Sequence, residues 1–312
     1  MKLLYKGNIR PVARNALALV MPTPRFASRR IAVSGLPRSG TSWLAKALSL
    51  APRVSYYFEP DYVLDSGYWY KYLSRDATDS VLDRHVHAAL AGKINHEYVI
   101  AEQEIRQMAT HVFSDAVLVK WVKLVLAIDW IAEKNPELKI IQTVRHPVPL
   151  ALSWKARNWD PGYSLQRLLS QDRLMQGPLR PFEGIMRDAG SFWEQVGAFW
   201  SGVTYLQWQL HRPGWILKEH EWYCMHAEER IAWLAGEMGL GINDSMCAFI
   251  NCRSSGSSGP GYGIARDPKT EVHKWEKKIS SQELKELEQV VSRFELPFYP
   301  GLDPEAFRED EF

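Results

Sequence analysis

A short apolar strand, a glycine-bounded loop and a helix follow one another directly in this chain, and this succession constrains the fold more than any other feature. The stretch runs from Ile31 to Leu44 and reads IAVSGLPRSGTSWL. Its two glycines, Gly35 and Gly40, have the spacing of a phosphate-binding P-loop, G-x-x-x-x-G-K-[ST]. Backbone N–H groups at such a helix N-terminus can wrap an anionic ligand.

The loop departs from the P-loop pattern at one position. Thr41 stands where the pattern has a lysine, and the cation of the loop comes three residues earlier, at Arg38. The loop therefore lacks the lysine that normally lies over the β- and γ-phosphates of ATP. We expect the ligand to be a nucleotide other than an ordinary triphosphate.

Composition narrows the class of protein. The 312 residues are 46% hydrophobic and 24% charged, which is typical of a globular protein. A net charge of +2 argues against a general nucleic-acid binder. The three cysteines lack zinc-site spacing and are expected to be free thiols, which favours a cytoplasmic location. No apolar run near residue 1 is long enough to span a bilayer, so no membrane span is predicted.

The alternation of apolar runs and helical patterns predicts an α/β fold of P-loop type, with a mainly parallel sheet flanked by helices on both faces. Ser280 and Glu283 form a capping box that predicts the start of a last helix. The predicted strands are 31–34, 54–58, 116–121, 139–144 and 215–218, and the other predicted helices include 41–50, 124–134, 192–206 and 226–238.

We predict one domain. Residues 1–25 read as a basic N-terminal arm, and residues 26–312 as a single α/β domain. Within it, residues 253–263 are rich in glycine and serine and are expected to be flexible. This segment is either a plain surface loop or a lid that orders over a ligand.

A second candidate anion site follows the strand predicted at 139–144. Arg145 comes directly after this strand, and Ser153 lies eight positions later. Ligands of open parallel sheets bind beyond the carboxyl ends of the strands, where the loop at 35–40 also lies. Two anion-binding strand ends in one sheet indicate a ligand with two separated phosphates.

The two motifs together resemble those of the PAPS-dependent sulfotransferases, where PAPS is 3′-phosphoadenosine 5′-phosphosulfate. The resemblance implies that PAPS is the co-substrate, that PAP is its product, and that the chain moves a sulfuryl group to a hydroxyl or amine of a small molecule or saccharide. It also implies that Arg145 and Ser153 bind the 3′-phosphate and that Trp43 packs against the adenine. The residues that would cradle the 5′-phosphosulfate are Arg38, Ser39, Gly40, Thr41 and Ser42.

The chain departs from the cytosolic aryl and steroid members of that family. These carry a lysine where Arg38 stands, and they end in a Gly-Asp-Trp-Lys-like segment. Here the corresponding residues are His273, Lys274 and Trp275. The departures favour a resemblance to the bacterial or carbohydrate-type branch.

Sulfuryl transfer needs an in-line approach, a base for the acceptor and cations where charge grows on the leaving phosphate. The migrating group carries less negative charge than a γ-phosphoryl group, so a protein cation can take the place of Mg²⁺ and no metal is predicted. We expect Arg38 to neutralise the bridging oxygen and the departing 5′-phosphate.

Glu59 is the predicted general base, because it directly follows the second strand, close to the loop, and comparable family members use a glutamate there. Aromatic neighbours are expected to raise its pKa. Asp61 and the histidines His85, His87, His96 and His111 could serve as the base instead.

Lys120 and Lys123 either hold the sulfonate or an acidic acceptor, or are solvated lysines. Glu219 and Glu221 are expected to organise the helix that follows them. Candidate acceptor contacts are Tyr68, Trp69, Tyr70, Trp159 and Tyr163.

Two other functions fit the loop. One is an atypical P-loop nucleotide kinase or NTPase, which would depend on Mg²⁺. The other is a non-catalytic nucleotide-binding module, which would bind without turnover. The identity of the acceptor and the oligomeric state do not follow from the residues.

Overall fold

The computed structural model describes residues 23–103, 111–251 and 278–299, together with residues 272, 275, 276 and 302. Its centre is a five-stranded sheet in the order β2-β3-β1-β4-β5, in which every neighbouring pair is parallel. The predicted α/β class is therefore confirmed. The strands are β1 Arg29–Ser34, β2 Val54–Phe58, β3 Ala116–Trp121, β4 Leu138–Val144 and β5 Ile216–Glu219.

The strand predictions err only at their ends. β2 and β3 have the predicted bounds, whereas β1 begins two residues before the prediction, at Arg29. The apolar pattern missed this start because the first two residues of β1 are arginines. Arg29 nevertheless pairs with Ala116 in the sheet, and its guanidinium lies 2.8 Å from the Asp115 carboxylate.

Helices connect the strands and cover the sheet. The predicted helix 124–134 divides into a 3₁₀ turn at Val125–Ala127 and a shorter α-helix. The predicted capping box at Ser280 and Glu283 is present. The α-helices of the described residues are α1 Thr41–Ser49, α2 Ser80–Leu90, α3 Ile128–Lys134, α4 Pro147–Lys155, α5 Pro161–Leu169, α6 Asp172–Met175, α7 Glu183–Asp188, α8 Phe192–Gln209, α9 His220–Met225, α10 Ala227–Met238, α11 Asp244–Ile250 and α12 Ser281–Val291.

Side chains alternate between the two faces of the sheet, and each face has its own apolar cluster. Ile31 and Val33 of β1 belong to the cluster formed with α1, α10 and α11. Ala32 belongs to the opposite cluster, formed with α2 and α3. A third cluster joins α4, α5, α8 and α12. Burial on both faces explains why the strands read as continuous apolar runs.

The strand order creates a crevice at the carboxyl end of the sheet. From β1 the chain moves outward to β2 and returns through β3, and it then crosses to β4 on the other side of β1. The carboxyl ends of β1 and β4 thus border a topological switch point, where ligands of open α/β sheets bind. The loop after β1 and Arg145 after β4 both lie at this point.

Parts of two sequence predictions fall outside the described residues. They are residues 1–22 of the predicted basic arm and the whole glycine- and serine-rich segment 253–263. Cys224 and Cys247, which are described, are free thiols as predicted. Within the described ranges, no helix combines the length and the apolar character needed to cross a membrane.

Candidate functional site

Side chains of β4, of α4 and of Arg145 between them hold the loop after β1 through its carbonyl groups. The Thr143 hydroxyl donates to the Ser39 carbonyl at 2.6 Å, and Arg145 Nη1 donates to the Arg38 carbonyl at 3.0 Å. Trp154 Nε1 reaches the Pro37 carbonyl at 3.4 Å. Because three consecutive carbonyls have partners on β4, on α4 and at Arg145 between them, the shape of the loop depends on the neighbouring strand and helix.

The loop leads into a helix whose first turn has no side-chain cap. α1 begins at Thr41, and its N-cap residue is Gly40, which has no side chain to accept from the first N–H groups. The first N–H groups of a helix lack acceptors within the helix itself. They carry partial positive charge, so this end of α1 is suited to an anion.

Both glycines of the loop are required by close approach. A Cβ on Gly35 would lie 2.5 Å from the Thr143 carbonyl oxygen. Gly40 has a φ of +87°, and a Cβ there would lie 2.1 Å from Nδ1 of His220. The His220 ring also contacts Trp43 edge-on, with ring centroids 5.9 Å apart. Burial, with a smaller contribution from Arg145, lowers the pKa of His220 well below its usual value, so the imidazole beside the loop is neutral.

The structure brings Arg38 and Ser153 into direct contact. Arg38 Nε donates to the Ser153 hydroxyl oxygen at 2.8 Å, and Arg157 Nη1 reaches the same oxygen at 3.3 Å. Arg38 itself has a positive φ of 75°, which is uncommon for a residue with a side chain. The two predicted anion sites therefore form one continuous basic surface at the switch point.

Arg145 is held from several sides. Its carbonyl accepts from Trp200 Nε1 at 2.9 Å, and its Nη1 donates to the carbonyl of Arg38 in the loop. Nε lies 4.0 Å from a carboxylate oxygen of Glu221. The Arg145 side chain is 13% exposed, and its Nε is buried.

Three of the predicted binding residues in the loop and the start of α1 are buried, namely Ser39, Thr41 and Trp43. Trp43 is 7% exposed and packs into the apolar cluster of α1, while Ser39 is 1% exposed. Thr41 is also buried, whereas Ser42 is half-buried. In this arrangement the Trp43 ring packs mainly against apolar side chains, and little of its face is open to a ligand.

Glu59 forms an ion pair at the carboxyl ends of β2 and β3. One carboxylate oxygen accepts from Lys120 Nζ, and the other accepts from the Tyr98 hydroxyl at 2.7 Å. The side chain of Lys120 is 1% exposed, and its Nζ lies 4.3 Å from the centroid of the Phe58 ring. Like Arg38, Glu59 has a positive φ, of 43°.

The prediction of a raised pKa for Glu59 is wrong. Burial by itself raises this pKa, but the charge and hydrogen bond of Lys120, the Tyr98 hydroxyl and the charge of Lys123 together lower it below its usual value. The sequence showed the aromatic neighbours but did not show that Lys120 reaches the carboxylate from the adjacent strand. The carboxylate is therefore ionised at neutral pH.

Asp61 ties the end of β2 to the turn after β3. One of its oxygens accepts from the backbone N–H groups of Val122, Lys123 and Leu124 at 2.8, 2.5 and 3.1 Å. The residue is fully buried. Burial, followed by the charge of Glu59, raises the pKa of Asp61 to about 6 despite these three hydrogen bonds.

The four histidines predicted as possible bases lie in different surroundings. His111 is fully buried between the Ser55 and Tyr57 hydroxyls, each at 2.7 Å. His85 Nε2 contacts the Pro60 carbonyl at 2.9 Å. His87 and His96 are exposed to solvent. His96 Nδ1 nevertheless accepts from the Tyr98 N–H at 3.2 Å, so three of the four rings have polar partners within the protein.

An aromatic surface lies next to Glu59. We define it by Tyr62, Trp69 and Tyr98. Tyr62 stacks on Tyr98 with ring centroids 4.4 Å apart and on Trp69 at 6.0 Å, and it is 48% exposed. Lys123 Nζ lies 4.4 Å from the Trp69 centroid. Tyr70, a predicted acceptor contact, is instead buried, with its ring against Phe199.

Sequence reasoning missed three residues of this site. Tyr98 lies between predicted elements and reaches Glu59 only through the fold. Glu221 was assigned to its own helix, but its carboxylate accepts from the His146 N–H at 3.2 Å and lies beside Arg145. Arg157 lies in the turn after α4, four residues beyond Ser153, and this short separation in the sequence was the available signal.

The sequence matches the family model described as "Sulfotransferase family" over residues 30–194, which is just over half of the 312 residues. The chain therefore belongs to the sulfotransferase family and is an enzyme of sulfuryl transfer. No curated protein is significantly similar to it in sequence.

Several solved structures are similar to this one. The sulfotransferase domain of the Synechococcus PCC 7002 olefin synthase is 13% identical, with 88% of this chain and 98% of that chain covered and a TM-score of 0.48. A sulfotransferase domain from the curacin biosynthetic pathway is 12% identical, with 87% and 98% covered and a TM-score of 0.45. A mouse sulfotransferase complexed with PAP is 14% identical, with 93% and 92% covered and a TM-score of 0.42.

Replacing Gly40 by alanine should destabilise the loop. The left-handed backbone costs an alanine about 1–2 kcal/mol, and the added Cβ would collide with His220. Urea unfolding should show a loss larger than this backbone cost. In the His220→Ala background this collision is absent. There, adding Gly40→Ala should lower the free energy of unfolding only by the backbone cost. A Gly40→Ala protein as stable as the wild type would contradict the described geometry.

Replacing Asp61 by alanine should lower the free energy of unfolding by about 3 kcal/mol, because three backbone N–H groups, two of them buried, lose their acceptor. Asp61→Asn keeps an acceptor oxygen and should cost less. Urea unfolding of both variants beside the wild type measures the two losses.

The two Asp61 variants also differ from the wild type in their pH dependence. The folded pKa of about 6 exceeds the ordinary value of 3.8, so the bound proton stabilises the fold fully below pH 3.8, and this contribution is lost as pH rises through 6. Asp61→Asn cannot titrate, so its stability relative to the wild type should improve between pH 4 and 7. A constant difference over that range would contradict the raised pKa.

Proposed function

We propose that this enzyme transfers the sulfuryl group of PAPS to a hydroxyl or amine of a small molecule or saccharide. The observation that carries the proposal is the contact of Arg38 with Ser153 at 2.8 Å, which joins the loop after β1 to the Arg145 side of the switch point. A single adenosine bisphosphate can then be held by both motifs. The predicted location of this activity is the cytoplasm.

The donor would lie along this basic surface. Its 5′-phosphosulfate would accept from the N–H groups at the start of α1, with Ser39, Gly40, Thr41 and Ser42 forming the cradle. Its 3′-phosphate would contact Arg145 and Ser153, and Arg157 lies close enough to add a charge. Arginine forks suit phosphate because two N–H groups can bind it at once.

In the proposed step, an acceptor oxygen or nitrogen attacks the sulfur atom and forms the new bond. The bond between sulfur and the bridging oxygen breaks, and its electron pair stays on the 5′-phosphate of PAP. The proton of the acceptor passes to the Glu59 carboxylate. Arg38 neutralises the charge that grows on the bridging oxygen.

The strand order leaves room for an acceptor between the donor and the base. Glu59 follows β2 and the loop follows β1, and β3 lies between them. Adjacent strands lie about 4.8 Å apart, so these two strand ends are separated by roughly 10 Å. Lys120 of β3 comes from the strand between them, where its charge can act on both the carboxylate and the sulfonate.

The aromatic surface supports a flat acceptor. Tyr62 is 48% exposed, and its backbone N–H donates to the Glu59 carbonyl at 2.9 Å. Exposed aromatic rings stack on other aromatic rings and on the C–H groups of sugars. Lys123 adds a cation at the edge of this surface. Phenols and saccharides are both compatible with it.

Thermal unfolding with two nucleotides tests the proposed donor. Adenosine 3′,5′-bisphosphate at 100 times its Kd should stabilise the enzyme by about 2.7 kcal/mol and raise Tm by roughly 5 °C. Arg145→Ala should remove most of this shift. Stabilisation by ATP with Mg²⁺ but not by the bisphosphate would overturn the proposal and favour a kinase or NTPase.

The pH dependence of turnover tests Glu59. Its pKa is lowered, so the acidic limb of kcat/KM should lie below pH 4.5 in the wild type. Lys120→Met removes the main opposing charge, which leaves burial to raise the pKa of Glu59 and should move this limb upward. Glu59→Gln should lower kcat by about 10²–10⁴-fold, the usual contribution of a general base.

Glu97→Gln, at an exposed position near Tyr98, is the matched control and should leave turnover unchanged. Near-native turnover in a folded Glu59→Gln protein would exclude Glu59 as the base.

A further inference from the structure

A buried carboxylate lies beside the arginine that we propose for the 3′-phosphate. Glu221 is 2% exposed, and its Oε1 lies 4.0 Å from Arg145 Nε. The same oxygen accepts from the His146 N–H at 3.2 Å. Glu221 lies two residues after the end of β5, and Arg145 directly follows β4. Because β5 pairs with β4, Glu221 and Arg145 come from adjacent strand ends.

Tyr299 fixes the other oxygen of this carboxylate. Its hydroxyl donates to Glu221 Oε2 at 2.6 Å, and the residue is 6% exposed. The Tyr299 ring packs edge-on against His146, with centroids 5.1 Å apart, and lies 6.1 Å from the Trp200 ring. Its backbone has a positive φ of 53°, which for a residue of this size is a strained conformation.

Burying the Glu221 carboxylate beside a proposed phosphate site costs free energy, and this cost needs a compensating role. Burial raises the pKa of Glu221, and Arg145 and Tyr299 act against this. A negative charge this close to a phosphate site also opposes phosphate binding by simple Coulomb repulsion. Its benefit would be geometric, because Arg145 Nη1 donates to the Arg38 carbonyl while Nε lies within ion-pair distance of Glu221, at 4.0 Å.

We propose that Glu221, itself held by Tyr299, is a positioning residue that orients the Arg145 guanidinium and thereby sets the preference for a nucleotide carrying a 3′-phosphate. The inference rests on the proposed function, since it assigns the 3′-phosphate to Arg145. It also makes the segment that follows α12 part of the nucleotide site, because Tyr299 belongs to that segment.

Isothermal titration with adenosine 3′,5′-bisphosphate and with AMP tests this directly. These two ligands differ only in the 3′-phosphate. Glu221→Gln should weaken bisphosphate binding by about tenfold and change the Kd for AMP less than about twofold, because only one ligand reaches Arg145. Tyr299→Phe removes a single hydroxyl and should act in the same direction by about threefold.

A double-mutant cycle separates positioning from general damage to the fold. In the Arg145→Ala background, Glu221→Gln should no longer change the ratio of the two dissociation constants. Glu219→Gln, two residues away at the same strand end, is the matched control and should leave the ratio at its wild-type value.

Three outcomes would overturn the inference. They are an unchanged ratio in both Glu221→Gln and Tyr299→Phe, an equal loss for both ligands, and tighter bisphosphate binding in Glu221→Gln, which would mean that the carboxylate only repels phosphate. A wild-type enzyme that does not prefer the bisphosphate over AMP would overturn the proposed donor as well. That result differs from the other three because it appears in the unsubstituted protein.

Discussion

The hydrogen bonds that fasten the loop after β1 to β4 and α4 are the interactions on which the rest of the site depends. Thr143, Arg145 and Trp154 hold three consecutive carbonyl groups of this loop. These contacts bring the start of α1 and the Arg145 side of the crevice into one fixed arrangement. The binding of one nucleotide by both motifs, as we propose it, depends on this arrangement.

The strand ends along the carboxyl edge of the sheet differ in the charges that they carry. The β1 and β4 ends carry the basic surface. The β2 and β3 ends carry the Glu59–Lys120 pair, in which the lysine charge keeps the carboxylate ionised despite its burial. Lys120 comes from the strand between Glu59 and the loop. If Glu59 is the base as we propose, the same cation can act on the base in the free enzyme and on the sulfuryl group during transfer.

The sequence predicted the parts of this structure that depend on local patterns. Buried strands such as β2 and β3 have continuous apolar runs, so their bounds were predicted closely. The capping box of Ser280 and Glu283 is a local sequence pattern, so the start of α12 was predicted closely as well. Contacts across the sheet were not predictable, because they depend on strand order. The Lys120–Glu59 pair, the Glu221–Arg145 pair and the wrong direction assigned to the pKa of Glu59 all have this origin. Arg29, which starts β1, was missed because a charged residue hides a strand from an apolar pattern.

A crystal structure with adenosine 3′,5′-bisphosphate bound would decide whether one nucleotide spans both motifs. The 5′-phosphate should accept hydrogen bonds from the N–H groups of residues 39–43, and the 3′-phosphate should lie within hydrogen-bond distance of Arg145 and Ser153. Finding both phosphates away from the loop and from Arg145 would contradict the proposed donor site and the chemistry built on it.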